Sequence, residues 1–328
     1  MVKVLFIGGT GRTGSTTLDK VLGSSSNWFS GGELAFFWNK GMVQGGLCSC
    51  GKAVNDCEIW RASIDLAFKD KDIDSQKMVA QRRTFWSIHL PLLALKRLTA
   101  RKLDNLGDFP LNVETLYDAV SQVTHSQVIV DSSKESHYSF ILRERTNLDI
   151  YFLHLVRDPR AVGYSWSKKK SELGFQNQSL MERRGVFKTT IYYWVSNLAG
   201  IWIWRKESDR YKILRYEDFA NDPQLVMGLI SDFVHEPIGL EQFSDGNTFK
   251  IKPSHLVWGN PNRFSNQDLL VAPDMDWVRR QSRPKSMILA AVNWPVARIF
   301  GYPLARNRMI RRTRFMQKHN LYKEAETL

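Results

Sequence analysis

The chain has 328 residues, 43% of them hydrophobic and 12% aromatic, which suits one large domain or two small ones and excludes a disordered chain. Lysine and arginine outnumber aspartate and glutamate by 46 to 33, a net charge of +13. That balance speaks to partners rather than to fold, and fits an anionic ligand, an acidic polymer, nucleic acid or an anionic membrane surface. Three cysteines are too few for a disulfide framework.

The chain begins with Val2-Lys3-Val4-Leu5-Phe6-Ile7, an apolar strand, with no basic leader and long apolar stretch before it. No apolar run approaches the ~18 residues of a membrane span, so a cytoplasmic, reduced protein is expected. Gly8 to Gly14 reads as a turn, and Ser15 to Leu22 as a helix with hydroxyl residues in its first turn. Ser24 to Gly46, rich in glycine, serine and aromatics, reads as an irregular segment beside a site and not as a buried strand. Helical periodicity runs from Met78 to Lys102, broken or kinked near Pro91, and again from Leu111 to Ser126. Val128-Ile129-Val130 is a short buried strand ending at Asp131. Ser136 to Thr146 is helical, Ile150 to Val156 is a strand, and a helix follows Pro159. Val186 to Lys206 forms a long aromatic helix, Tyr211 to Leu214 another inner strand, and Asp222-Pro223 starts a further helix. Short apolar strands alternating with helices predict an α/β fold, a central parallel sheet of about five strands flanked by helices.

Residues 6–22 carry overlapping phosphate-binding signatures. Gly9-Thr10-Gly11-Arg12-Thr13-Gly14 has the glycine spacing of a dinucleotide fingerprint. That reading needs a strand ending in an acid about 20 residues on; Glu33 has the distance, but Ser24 to Gly32 does not read as a strand. Gly9 to Thr16 nearly matches the loop of ATPases and kinases, with Thr16 in the hydroxyl slot and Asp131 as a candidate metal ligand. Ser15, however, occupies the slot of the phosphate-binding lysine. The third reading is a glycine turn feeding a helix N-terminus, whose N–H groups and dipole favour an anion. Thr13, Ser15, Thr16 and Thr17 add hydroxyls there, and Arg12 adds a planar cation.

A second motif, residues 151–169, places Arg157-Asp158-Pro159 at a strand end and Ser165 in the following helix. Pro159 suits a first helical turn and Asp158 can cap it. Arginine forks two phosphate oxygens while a serine hydroxyl bonds a third. Together the two stretches resemble the sulfotransferases that use 3′-phosphoadenosine 5′-phosphosulfate (PAPS). The first is similar to their 5′-phosphosulfate loop and the second to their 3′-phosphate motif. The resemblance runs from about residue 2 to about 303 and is weakest between 58 and 127. It implies a P-loop-like sulfotransferase domain over 1–303, with a helical acceptor-side insertion at 58–127 and a basic tail at 304–328. Many cytosolic members place lysine where this chain has Arg12, so the likeness leans toward Golgi-type and bacterial carbohydrate or protein sulfotransferases, whose membrane anchor is not expected here.

From that resemblance, Gly11, Arg12, Gly14, Ser15, Thr16 and Thr17 are expected at the phosphosulfate, and Arg157 and Ser165 at the 3′-phosphate. Tyr216, in a strand–turn stretch similar to the family's, is expected beside the adenine. Arg263, in a late loop similar to one that closes over the donor, is expected to reach the 3′-phosphate. Glu33 is the candidate base, as in Golgi-type members, and Lys134 the candidate cation at the transferring group. His89 mimics the base of cytosolic enzymes but follows a helical stretch, and reads as a decoy; His137 is a third candidate. The implied reaction passes a sulfuryl group from PAPS to a hydroxyl or amine of a glycan, glycolipid or peptide, with no metal. A kinase-like phosphotransferase and a non-catalytic polyanion-binding module are the alternatives.

Cys48, Cys50 and Cys57 fall short of a zinc set unless a histidine joins them; a redox-sensitive pair or a structural loop is the favoured reading. Trp194, Trp202, Trp204, Tyr192 and Tyr193 are expected mainly in the core, with some walling the acceptor cleft. Arg306, Arg308, Arg311, Arg312, Arg314 and Lys318 make the tail basic, either as a solvated helix or as a contact for an acidic substrate or membrane surface.

Overall fold

The fold is that of a computed structural model, which describes residues 1–69, 71–85, 103–168, 171–172, 179–180, 182–239, 243–245 and 247–305. Strand β1 (Lys3–Gly9) leads into α1 (Ser15–Leu22) and β2 (Trp28–Gly32). After short 3₁₀ and π turns come α2 (Glu58–Ala67), α3 (Ser75–Arg83) and α4 (Phe109–Thr124). Then follow β3 (Val128–Lys134), α5 (Ser136–Arg145), β4 (Asp149–Val156), α6 (Pro159–Ser167), α7 (Val186–Trp204) and β5 (Tyr211–Arg215). The chain continues through α8 (Tyr216–Asn221), α9 (Pro223–Val234), α10 (Asp276–Arg280) and α11 (Arg283–Ala297). His89, Pro91 and the basic tail from Arg306 onward lie outside the described residues.

The central sheet has five strands in the order β2-β3-β1-β4-β5, all parallel. β1 is at its centre, and its residues Val4 to Ile7 are wholly buried. Alternation sends Val4 and Phe6 to one face and Leu5 and Ile7 to the other, and both faces are covered. That is why the strand reads as an unbroken apolar run. On one face Phe152 stacks on Phe6 at 5.6 Å and on Trp204 at 5.1 Å. On the other, Leu18, Val21 and Leu22 of α1 join Leu5 and Ile7.

The strand over Trp28–Gly32 corrects the sequence reading of 24–46 as irregular throughout: all its residues are buried and it pairs in parallel with β3. Its composition hides it because α1 crosses at close range. A Cβ on Gly23 would sit 2.3 Å from that of Ser30, and one on Gly31 3.1 Å from the Val130 carbonyl. Asp19 of α1 accepts hydrogen bonds from Ser30 at 2.5 Å and Ser132 at 2.6 Å. Close approach demands small residues, and small residues erase the β-branched signal.

Asp158 caps α6, accepting from the Arg160 N–H at 2.8 Å with Pro159 in the first turn, as the sequence predicts. Asp222 caps α9 in the same way. Among the described residues no helix is long and apolar enough to cross a membrane.

Candidate active site

The site lies at the carboxyl ends of the strands, where loops leave a parallel sheet and helix N-termini converge. β1 ends at Gly9, whose φ is 113° and whose Cβ would meet the Leu155 carbonyl oxygen at 2.3 Å. The turn closes on Gly14, in the left-handed region at φ 92°, immediately before α1. No side chain caps α1, and no acidic residue stands in its first turn. The Thr17 N–H turns back to the Gly14 carbonyl at 3.0 Å, and the uncapped first turn lines a cleft of about 400 Å³, the arrangement that binds an anion.

Gly11, Arg12, Gly14, Ser15, Thr16 and Thr17 line that cleft together with Glu33 and Lys134. Thr13 does not. It is wholly buried and its hydroxyl donates to the Thr10 carbonyl at 3.0 Å, holding the turn. Arg12 has φ 69°, and its guanidinium lies 4.8 Å from the centre of the Trp166 ring. Burial, offset by Glu33, pulls its pKa below the ordinary value.

Glu33 and Lys134 come from neighbouring strand ends. The pairing of Gly32 with Asp131 and of Gly8 with Lys134 brings the β2 and β3 exits beside the turn that follows β1. Lys134, also left-handed at φ 67°, places Nζ 2.6 Å from Glu33 Oε1 in a nearly buried ion pair. The late loop closes over this pair. A Cβ on Gly259 would lie 3.5 Å from Glu33 Oε1 and 3.4 Å from Thr16 Oγ1, and the Asn260 N–H donates to Thr16 Oγ1 at 3.4 Å.

The second cluster is adjacent. Arg157, 6% exposed, donates from Nη1 to the Arg12 carbonyl at 3.1 Å and pairs through Nη2 with Asp274 at 2.8 Å. It lies over the Tyr216 ring at 4.3 Å, and its Nε is buried without an acceptor. Tyr216 in turn covers Gly14, whose Cβ would sit 2.5 Å from the ring. Ser165 is partly buried on α6. Arg263 is not brought to this cluster. It is 1% exposed, donates to the carbonyls of Gly259 at 3.1 Å and Leu47 at 3.2 Å, and is packed over Phe264 at 4.3 Å.

His137, 6% exposed, sits 3.4 Å from Glu135 and does not line the cleft. Asp131 is closed to a metal role. It accepts from Tyr117 at 2.6 Å and from the Ser133 N–H at 2.9 Å, and burial pushes its pKa up to about 6. The dinucleotide reading fails on topology, not on a missing strand: β2, which leads to Glu33, is separated from β1 by β3, so its acid does not flank the first strand as a ribose ligand must.

Some cleft residues escaped the sequence reading. Arg184 stacks on Trp166 at 4.0 Å and Tyr192 at 4.4 Å, and Lys40 lies 5.2 Å from the Trp258 ring. Tyr192 belongs to the aromatic helix α7, where Tyr193 and Trp204 are 1% exposed and Trp202 is 43% exposed. The aromatic stripe is thus partly core, partly cleft wall and partly surface.

A family model described as the sulfotransferase family matches residues 5–239. Among solved structures, the chain is similar to the sulfotransferase domain from the Synechococcus PCC 7002 olefin synthase, with TM-score 0.53 and 18% identity over 93% of this chain and 98% of that one. It is also similar to the sulfotransferase domain from the curacin biosynthetic pathway, with TM-score 0.47 and 17% identity over 96% of this chain and 98% of that one. The first likeness speaks to fold alone. No curated protein sequence matches the chain.

Proposed function

The chain belongs to the sulfotransferase family, and from that premise we propose that its donor is PAPS and its acceptor a hydroxyl or amine of a carbohydrate, glycolipid or peptide. The observation that carries this reading is the uncapped N-terminus of α1 opening into one cleft with Arg12 and the Glu33–Lys134 pair. An anion site, a fixed cation and a carboxylate beside a lysine are what sulfuryl transfer needs, and none of them calls for a metal.

In this reading the α1 N–H groups, Ser15, Thr16, Thr17 and Arg12 hold the 5′-phosphosulfate. Glu33 accepts the proton of the acceptor as its oxygen or nitrogen forms a bond to sulfur. The bond from sulfur to the bridging oxygen breaks in line, and the electron pair stays on the leaving adenosine 3′,5′-bisphosphate. Arg12 and Lys134 stabilise the charge that gathers on that oxygen. Arg157 and Ser165 take the 3′-phosphate, and the unsatisfied Nε of Arg157 supports an acceptor missing from its surroundings. Tyr216 offers a ring to the adenine. The cytoplasm is the setting this reading assumes.

The test is calorimetric titration with adenosine 3′,5′-bisphosphate in the presence of EDTA, with ATP and NAD as controls. Metal-free binding of the bisphosphate alone is expected; binding of ATP or NAD in its place would overturn the assignment. Arg157→Ala should weaken the bisphosphate by roughly 10- to 100-fold, the range for a charged hydrogen bond. An analogue without the 3′-phosphate should lose little, and equal losses for both ligands would move the 3′-phosphate elsewhere.

A further inference from the structure

The three cysteines acquire a fourth partner in space. Cys48, Cys50 and Cys57 are free thiols, and the structure brings His255 to them from about 200 residues downstream. The three Sγ atoms and a ring nitrogen of His255 all lie within 4.8 Å of one another. Cys57 Sγ is 3.2 Å and Cys48 Sγ 3.8 Å from His255 Nδ1. A tetrahedral zinc ion with bonds of about 2.3 Å to sulfur and about 2.0–2.1 Å to nitrogen needs S···S and S···N edges of roughly 3.5–3.8 Å. The two observed S···N separations bracket the S···N edge, and every other ligand pair lies within 4.8 Å.

The surrounding chain is built to hold this geometry. Leu47 and Ala53 bridge, the Cys48 N–H donates to the Lys52 carbonyl at 2.9 Å, and the Gly51 N–H donates to the Cys48 carbonyl at 2.9 Å. Gly51 takes φ 89°, closing a tight turn that carries Cys48 and Cys50 together. Cys57 stands at the N-cap of α2 without a side-chain cap bond. The segment that carries His255 is fastened separately. The Trp60 indole donates to the His255 carbonyl at 2.8 Å, and Ser49 exchanges bonds with Leu256 at 3.0 and 2.9 Å. The ligands are therefore positioned by the peptide around them, so little ordering remains to oppose binding.

We infer that Cys48, Cys50, Cys57 and His255 form a structural zinc site. Four protein ligands of the sulfur-rich kind close a tetrahedral coordination sphere and select zinc over the hard oxygen-seeking cations. None of the four lines the cleft, so the ion's work is mechanical. It ties the 47–57 loop to the segment whose next residues, Trp258, Gly259 and Asn260, wall the cleft. The inference stands on the ligand geometry and does not depend on the identity of the sulfuryl donor.

The test uses the full chain, purified anaerobically without a histidine tag from zinc-supplemented cells and dialysed against metal-free buffer. Elemental analysis should find about one zinc per chain. Cys57→Ser and His255→Ala should each retain less than about a tenth of the wild-type zinc, whereas Lys52→Ala, on the same loop but not a ligand, should retain all of it. Should the ligand variants not fold, wild-type protein from cobalt-grown cells decides. It should show the visible bands of tetrahedral, thiolate-bound cobalt. Wild-type protein without metal and without those bands, or a peptide map showing a Cys48–Cys57 disulfide, would overturn the inference.

Discussion

Glu33 and Lys134 face each other at 2.6 Å with side chains 13% and 9% exposed. The pair neutralises itself in a cleft that Arg12 and Arg184 also line. Glu33→Gln keeps the shape and removes the proton acceptor. Turnover should fall by about 10²- to 10⁴-fold, the usual worth of a positioned base, while the titrated affinity for the bisphosphate stays within about twofold. Turnover within about twofold of wild type would hand the base role to another residue. Arg12, Glu33, Lys134 and Arg157 could be read as candidates because each sits on a motif contiguous in sequence, and the first three line the cleft. Trp166, Arg184 and Lys40 were not legible, because a lone tryptophan, arginine or lysine carries no spacing signal until folding gathers them.

At the scale of elements, the joint between β1 and α1 depends on Gly14. Its φ of 92° and the Tyr216 ring 2.5 Å from where a Cβ would lie leave no room for a side chain. Gly14→Ala should cost about 1–2 kcal/mol of stability from backbone conformation alone. Displacing Tyr216 should also weaken the bisphosphate, read by thermal melting and titration on the same sample. A melting temperature and affinity both within error of wild type would contradict the packing described. β1, α1, β3, β4 and β5 could be read from apolar runs and turn residues. β2 could not, because Ser30 and Gly31 answer to α1 and to Val130 rather than to solvent. His255 could not be paired with the cysteines for a different reason: nothing along the chain links residues so far apart.

For the whole molecule, the sheet interior sets a pH response. His154 is wholly buried in β4; Tyr211 donates to its Nδ1 at 2.8 Å, and its Nε2 donates to the Asn197 side-chain carbonyl at 2.9 Å. Asn197 is itself oriented by donating to the Tyr193 carbonyl at 2.8 Å. Burial pulls His154 down from 6.5 to about 4, so the folded state keeps it neutral while the unfolded chain takes up a proton. Its contribution is fully present above pH 6.5 and is lost as the pH falls toward about 4. Asp19 and Asp131 act the other way. Burial raises them to about 7 and about 6, so they favour the fold at low pH and lose that contribution as the pH rises. Denaturation of wild type and His154→Gln at matched pH values separates the terms. The wild-type advantage should shrink by about 2 kcal/mol between pH 7.5 and 5, and a constant difference would mean that His154 is not held neutral. The parallel sheet and its central β1 were legible because both faces of that strand are buried. The strand order was not, since crossovers leave no mark on local composition.

Arg12 and Lys134, with φ of 69° and 67°, pose a conflict between two kinds of fitness. Each holds a long side chain in a backbone region that costs a non-glycine residue about 1 kcal/mol or more. Heat and turnover should therefore select opposite alleles. A library randomised at both positions and enriched only for survival at high temperature should drift toward glycine and asparagine. The same library enriched for sulfated product should return arginine and lysine. Divergence between the two populations, read by deep sequencing, would make these positions a record of what the lineage has been selected to do.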